Sequence, residues 1–218
     1  MHFAAVLAFA LYVNTLGHDY TIDDPMFTTG NRFVQGGVGM LPSVFTKGSM
    51  FGYDGTVIGP YRPMMLMTYL LEVAVFGAKA SVHHLFNVLW FALLVAMLVR
   101  FIDRLFEGRA PWLALVVGAL YAAHPVHTEV VASIKSRDEI LAALFGVLAL
   151  TDLLEVGRRD SVRAITTSAL WFLLAMLSKE NAITLFAVAP VLLYVFTPVT
   201  RRTLGFAMLG WAGATMLY

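Results

Sequence analysis

The stretch LFNVLWFALLVAMLV, residues 85–99, carries no charged side chain, and a helix built on it and its flanks is long enough to cross hydrocarbon. A span needs roughly 20 apolar residues, because a helix rises about 1.5 Å per residue and the hydrocarbon layer is about 30 Å thick. Six or seven segments meet or approach that requirement, near residues 1–16, 80–102, 110–124, 138–156, 161–178, 181–198 and 203–218. Of 218 residues 59% are hydrophobic and only 13% charged, and the mean hydropathy of +0.76 lies outside the range of ordinary soluble domains. The expected fold class is all-α: a polytopic transmembrane helix bundle of about seven spans, integral to a lipid bilayer.

A net charge of +1 gives no reason to expect nucleic acid as a partner or a polybasic lipid-binding surface. The chain has no cysteine, which excludes disulfides, thiolate metal sites and thiol nucleophiles. Residues Phe3 to Val13 imitate a signal-peptide core, but no Lys or Arg precedes them and no small-x-small cleavage pattern follows before the first aspartates. They read as a short first transmembrane helix. The last apolar segment reaches Tyr218 without a polar stop, so residues 1–218 are expected to be the N-terminal piece of a longer protein.

One apolar segment does not fit a span. PMMLMTYLLEVAVF, Pro63 to Phe76, makes a helix only about 20 Å long, with Thr68 and Glu72 at i,i+4 on one face. It reads as a helix lying at the membrane surface, inside a long first loop that runs from Gly17 to about Ala80. The short loops then set orientation. Arg100, Arg104 and Arg109, then Arg158, Arg159 and Arg163, then Arg201 and Arg202 stand against Lys135, Arg137 and Lys179 on the opposite side. The arginine-only loops are expected in the cytoplasm, and the long loop faces outward, to periplasm or lumen.

Almost every other ionisable residue falls on that outer side. Charge near a bilayer costs several kcal/mol unless it is paired or hydrated, so the clustering points to a polar site opening outward between helix ends. Its candidates are Asp23, Asp24, Arg62, His83, His84, Asn87, His124, His127, Glu129, Lys135, Arg137, Asp138, Glu139, Lys179 and Glu180. Each has a plainer reading. Ser136 to Glu139, SRDE, is a capping-box pattern; Ser178 with Glu180 suits the start of the following helix; Asp24 before Pro25 is a turn opener. Asp23 has no such explanation. His83, His84 and Asn87 share a helical face that suits either the wall of a cavity or an interfacial anchor. His124 and His127, at i,i+3, raise a divalent metal as a possible cofactor, but Glu129 lies about 200° round the helix from His127 and Pro125 interrupts it. An acid beside a set of cations near lipid suits transfer of a group from a lipid phosphate: a carboxylate draws the proton from a hydroxyl, and Arg or Lys holds the phosphate.

The ordered set IDDP, YRP, HHLFN, AAHPVHTEVVASIKSRDEILAALF and LSKENAITL resembles the membrane part of the GT-C glycosyltransferases related to the transmembrane and tetratricopeptide-repeat protein O-mannosyltransferases and their bacterial relatives. The likeness runs from about Gly17 to Tyr194. It implies a GT-C fold working on the outer face, a sugar donor carried on polyprenyl or dolichyl phosphate, and inverting transfer of a mannose-like sugar to an acceptor hydroxyl, such as a polypeptide Ser or Thr. A carboxylate of the first outer loop is the base in such enzymes, which maps onto Asp23 or Asp24, and the helix after YRP resembles the family's jaw helix. The candidates for donor phosphate and substrate binding are then Arg62, His84, Asn87, His124, His127, Glu129, Arg137, Asp138, Lys179 and Glu180. The expected location is the bacterial cytoplasmic membrane with the site facing the periplasm, or alternatively the endoplasmic reticulum. A transporter or flippase component is the competing reading, with the acids and bases as a substrate path, and a non-catalytic anchor or sensor is a further one.

Overall fold

The computed structural model describes residues 1–21, 23–57, 59–159 and 161–218, with the backbone alone at Arg159. Ile22 of the IDDP stretch, and the side chain of Arg159 counted with the inner arginines, lie outside the described residues. Among the described residues thirteen α-helices and three short 3-10 turns follow one another, and no strand occurs. Helix α1 (His2–Tyr12) leads through a 3-10 turn into four short helices: α2 (Asp24–Phe27), α3 (Arg32–Gln35), α4 (Leu41–Thr46) and α5 (Phe51–Asp54). Then come α6 (Pro63–Phe76), α7 (Ala80–Leu105), α8 (Pro111–Ala123), α9 (His127–Ala132), α10 (Arg137–Arg159), α11 (Val162–Ser178), α12 (Leu185–Phe196) and α13 (Arg201–Leu217).

The helix limits follow local chemistry. Pro63 and Pro111 occupy the first turns of α6 and α8, where a missing N–H costs nothing. Gly77 ends α6 at φ 75°, a conformation open to glycine without strain. Side chains cap two later helices: Ser161 accepts from the Ala164 amide, and Thr200 from the Thr203 amide.

Two helices, Ala80–Leu105 and Arg137–Arg158, are long and apolar enough to cross a membrane. The other segments read as spans are helical as well, but α1, α8, α11, α12 and α13 contain 11, 13, 17, 12 and 17 residues. Small residues let several of them approach closely. Ala4, Ala8 and Tyr12 of α1 and Ala114, Gly118 and Ala122 of α8 recur at every fourth position and are buried, and a Cβ on Gly118 would collide with Val99 of α7. Such stripes replace the hydrophobic driving force that helices lack in lipid. The Tyr12 hydroxyl, at the end of the stripe, donates to the Ala122 carbonyl at 3.2 Å. A second apolar cluster joins α10 to α13 around Trp211, stacked on Phe172 at 4.1 Å.

The described residues between 17 and 80 form more than a loop. Phe27, Phe33, Val34 and Val44 pack with Met65, Leu66, Tyr69 and Leu70 of α6 and with Ile134, so the segment has a small core of its own. Asn31 pins it, donating to the carbonyls of Met26 and Ser49 and accepting from the Phe33 amide. The amphipathic face noted in α6 faces protein: Thr68, Tyr69 and Glu72 are all buried.

Candidate functional site

Polar side chains from the first segment, α6, α7, α9, the turn between α9 and α10, the start of α10 and the segment after α11 meet at one end of the bundle in three groups. The first surrounds an open groove of about 470 Å³ lined by His18, Thr21, Asp23, Glu129, Ser133, Lys135 and Ser136, among others. Asp23 pairs with Lys135 Nζ at 2.9 Å while about half its side chain stays exposed. Asp24, the next residue, is fully buried. Its carboxylate accepts from the Lys135 amide and from both the amide and the hydroxyl of Thr21, each at 2.8 Å. The neighbours thus differ in kind: Asp24 ties the first segment to the turn, and Asp23 faces the groove.

The second group holds Arg62, Asp138, Glu139, Lys179 and Glu180. Arg62 makes a two-pronged pair with Glu180, Nε to Oε2 at 3.2 Å and a terminal nitrogen to Oε1 at 2.8 Å, and its other terminal nitrogen reaches Asp138. Lys179 bonds Glu139 and stands 3.7 Å from Asp138. Arg62 holds the Glu180 carboxyl below the usual range by hydrogen bonding, against an opposing effect of burial. Three carboxylates face two cations.

The third group is inside the protein. Arg137 has no exposed surface. Its Nε donates to Asn87 Oδ1 at 2.6 Å, and its terminal nitrogens reach Thr68 Oγ1 at 3.0 Å, the His83 carbonyl at 2.8 Å and Glu72. The ring of Tyr69 lies under the guanidinium, 4.2 Å from its carbon. Glu72 also bonds His83 Nδ1 at 2.6 Å. A buried charge costs several kcal/mol unless its donors are satisfied, and here every arm of the fork has a partner.

The structure therefore gathers most of the residues read from the sequence, but not for the local reasons first available. Glu139 does not reach back as in a capping box; it crosses to Lys179. Ser178 donates to Leu174 within α11, and Glu180 belongs to Arg62. His83, His84 and Asn87 are buried without exception, so the helical face they share is interior packing, with His84 edge-on to His18 at 5.9 Å. The rings of His124 and His127 stand 6.0 Å apart. His124 Nδ1 accepts from the Val126 amide, while Glu129 lines the groove and the His127 ring packs tilted against Tyr121 at 4.2 Å. Among the described residues no three His, Asp or Glu side chains converge as a metal-binding set. Tyr69 was invisible as a polar contributor. The available signal was the single acid of α6, Glu72, which needed a partner wherever that helix was buried.

No protein-family profile matches the chain, and no solved structure matches it. Curated relatives do. The chain is 31% identical over 203 residues to protein O-mannosyl-transferase TMTC2 of Mus musculus, an alignment covering 86% of this chain and 23% of that protein. It is 32% identical over 205 residues to protein O-mannosyl-transferase TMTC1 of Mus musculus, covering 86% and 21%. Against protein O-mannosyl-transferase Tmtc2 of Drosophila melanogaster it is 31% identical over 192 residues, covering 84% and 20%. The chain thus spans less than a quarter of the length of these relatives. Along most of its own length it is a homologue of protein O-mannosyl-transferases, as the ordered motifs implied.

Proposed function

We propose that this chain forms the membrane-embedded catalytic part of a glycosyltransferase that moves a mannose-like sugar from a polyprenyl or dolichyl phosphate to a polypeptide Ser or Thr hydroxyl. Transfer takes place at the outer face of a membrane crossed about seven times, as the spacing of apolar segments supports. The observation that carries the reading is the division of labour between Asp23 and Asp24, one exposed in a groove and salt-paired, the other buried and anchoring. In the reaction the acceptor oxygen attacks the anomeric carbon, and the bond from that carbon to the phosphate oxygen breaks. The phosphate leaves with the bonding pair, and the acceptor proton passes to Asp23. A general base of this kind contributes about 10²–10⁴-fold.

Arg62 is the favoured phosphate ligand, with Lys179 beside it. Its two-pronged hold on Glu180 is the geometry in which a guanidinium takes two oxygens of a phosphate, and Glu180 is half exposed, free to swing out as the phosphate arrives. Arg137, buried and fully engaged, has a supporting part. The transporter reading has less behind it: residues 85–99 of α7 carry no charged residue, and charge collects at the helix ends.

The test uses the intact protein, a radiolabelled lipid-phosphate mannose and acceptor polypeptide. Asp23→Asn should lower transfer at least about a hundredfold with expression and donor binding kept. Asp24→Asn should instead lower the yield of folded protein, because the new amide faces the donors that Asp24 accepts from. Near-normal turnover in Asp23→Asn would remove Asp23 as the base.

A further inference from the structure

We propose that Tyr69, Glu72, Asn87 and Arg137 are positioning residues, a buried tether that fixes the turn at residues 133–137 so that Lys135 meets Asp23 and Asp138 meets Arg62. Its consequence for turnover rests on the glycosyltransfer proposed above; its geometry does not. The turn joins α9 to α10 and has little regular hydrogen bonding of its own: the Ser136 amide donates to Ser133, and the Arg137 amide to Ile134. The rest of its restraint comes from other elements. Asn87 Nδ2 of α7 donates to the Ser133 carbonyl at 3.0 Å. The Tyr69 hydroxyl of α6 donates to the Ile134 carbonyl. Asp24 accepts from the Lys135 amide at 2.8 Å, and Arg137 is held on α6 and α7 by Thr68, Glu72, Asn87 and the His83 carbonyl.

Three of the five turn residues are thus held through their backbone by three different elements, and a fourth through its side chain. The turn in turn carries Lys135 on the groove side, and Asp138 follows it at the start of α10. Asn87 serves both ends at once, accepting from Arg137 Nε and donating to Ser133. A guanidinium suits the centre of such a tether, because its planar fork fixes orientation as well as distance, whereas an ammonium, a point charge on a flexible stem, does not fix orientation. Displacing a catalytic constellation by about 1 Å costs on the order of 10²-fold in rate, so a tether of this kind acts on turnover without touching substrate.

Amide hydrogen exchange and kinetics on the intact protein in detergent test this. Tyr69→Phe removes one oxygen and keeps the ring under Arg137. Asn87→Leu removes both of its bonds, and Arg137→Lys keeps the charge without the fork. In each, exchange at the Lys135 amide should accelerate about tenfold or more while amides of α13 are unchanged. The same variants should lose about tenfold or more in kcat, with the KM for lipid-linked mannose changed by less than about threefold. Unchanged exchange at Lys135 in Tyr69→Phe and Asn87→Leu would overturn the tether. Faster exchange with normal kcat would overturn its part in the chemistry. If the unaltered protein transfers no sugar, the glycosyltransferase reading fails, and the exchange measurement still decides the tether.

Discussion

Arg137 and Arg109 are the same residue type in opposite situations. Arg137 is enclosed, with its terminal nitrogens shared among Thr68, Glu72 and the His83 carbonyl. Arg109, at the far end of the bundle, leaves 82% of its side chain exposed and pairs with Glu107, two residues away. Around it Arg104 stands 3.5 Å from Glu155, and Arg158 3.8 Å from Glu107, in partly exposed pairs. Around Arg137 charge is sequestered and must be matched atom by atom, so it dictates geometry. Around Arg109 water supplies much of the matching, and the charge places little demand on geometry.

The sharpest way to break this contrast is to remove one acid from each end. Glu72→Ala leaves Arg137 uncompensated in the interior, and losing one partner of a buried pair costs about 3–5 kcal/mol. Glu155→Ala removes a carboxylate from a partly exposed pair, which costs about 1 kcal/mol or less. Thermal unfolding of the two variants in the same detergent should therefore differ widely, with Glu72→Ala poorly folded and Glu155→Ala close to the parent. Similar melting temperatures would show that the interior of the polar end is hydrated enough to tolerate a lone guanidinium.

Ligand binding provides a smaller contrast. Arg62 reaches Glu180 and Asp138 from beside α6, and charge-assisted bonds of this type are worth about 1.5–3 kcal/mol. Arg62→Ala should weaken binding of the proposed lipid-linked donor about tenfold to a hundredfold, measured by titration of the purified protein. Arg104→Ala, at the opposite end, should change it less than about twofold. Equal small effects would reduce Arg62 to a structural ion pair.

The contrast also explains what could be read in advance. Helix formation in apolar runs is local: a run such as residues 85–99 has one stable outcome in lipid, and the helices from α7 onward, apart from the short α9, fall close to the apolar segments. The membership of the polar end was legible because charge is rare in this chain, so its clustering between apolar segments stood out. Partnership was not. SRDE and LSKEN each offered a satisfying local bond, and the structure replaced both with longer ones, Glu139 to Lys179 and Glu180 to Arg62. Local pattern cannot weigh a cap against a cation delivered from another helix. The same holds for α6: the polar face of Thr68 and Glu72 was legible, but not that Glu72, 4% exposed, pairs with Arg137 from another helix.

The faintest test lies between the two situations, at His127. It belongs to the polar end but packs among rings, 4.2 Å from Tyr121 and 5.4 Å from Phe91, with His124 at 6.0 Å. Burial first, then the neighbouring imidazole, lowers its pKa below the ordinary value of 6.5. In the folded protein the ring therefore resists a proton that the unfolded chain accepts, so folding stability is full above about pH 7 and declines as pH falls through the ordinary histidine range. Glu139 lines the same pocket of about 240 Å³ but is occupied by Lys179. His127→Gln cannot take up that proton. Its melting temperature should fall less steeply than the parent's between about pH 7.5 and pH 5.5, and the two curves should converge on acidification if the parent starts higher. A parent that gains stability relative to His127→Gln as pH falls would mean that Glu139 turns from Lys179 to a protonated His127, and the ring would then belong with the matched charges after all.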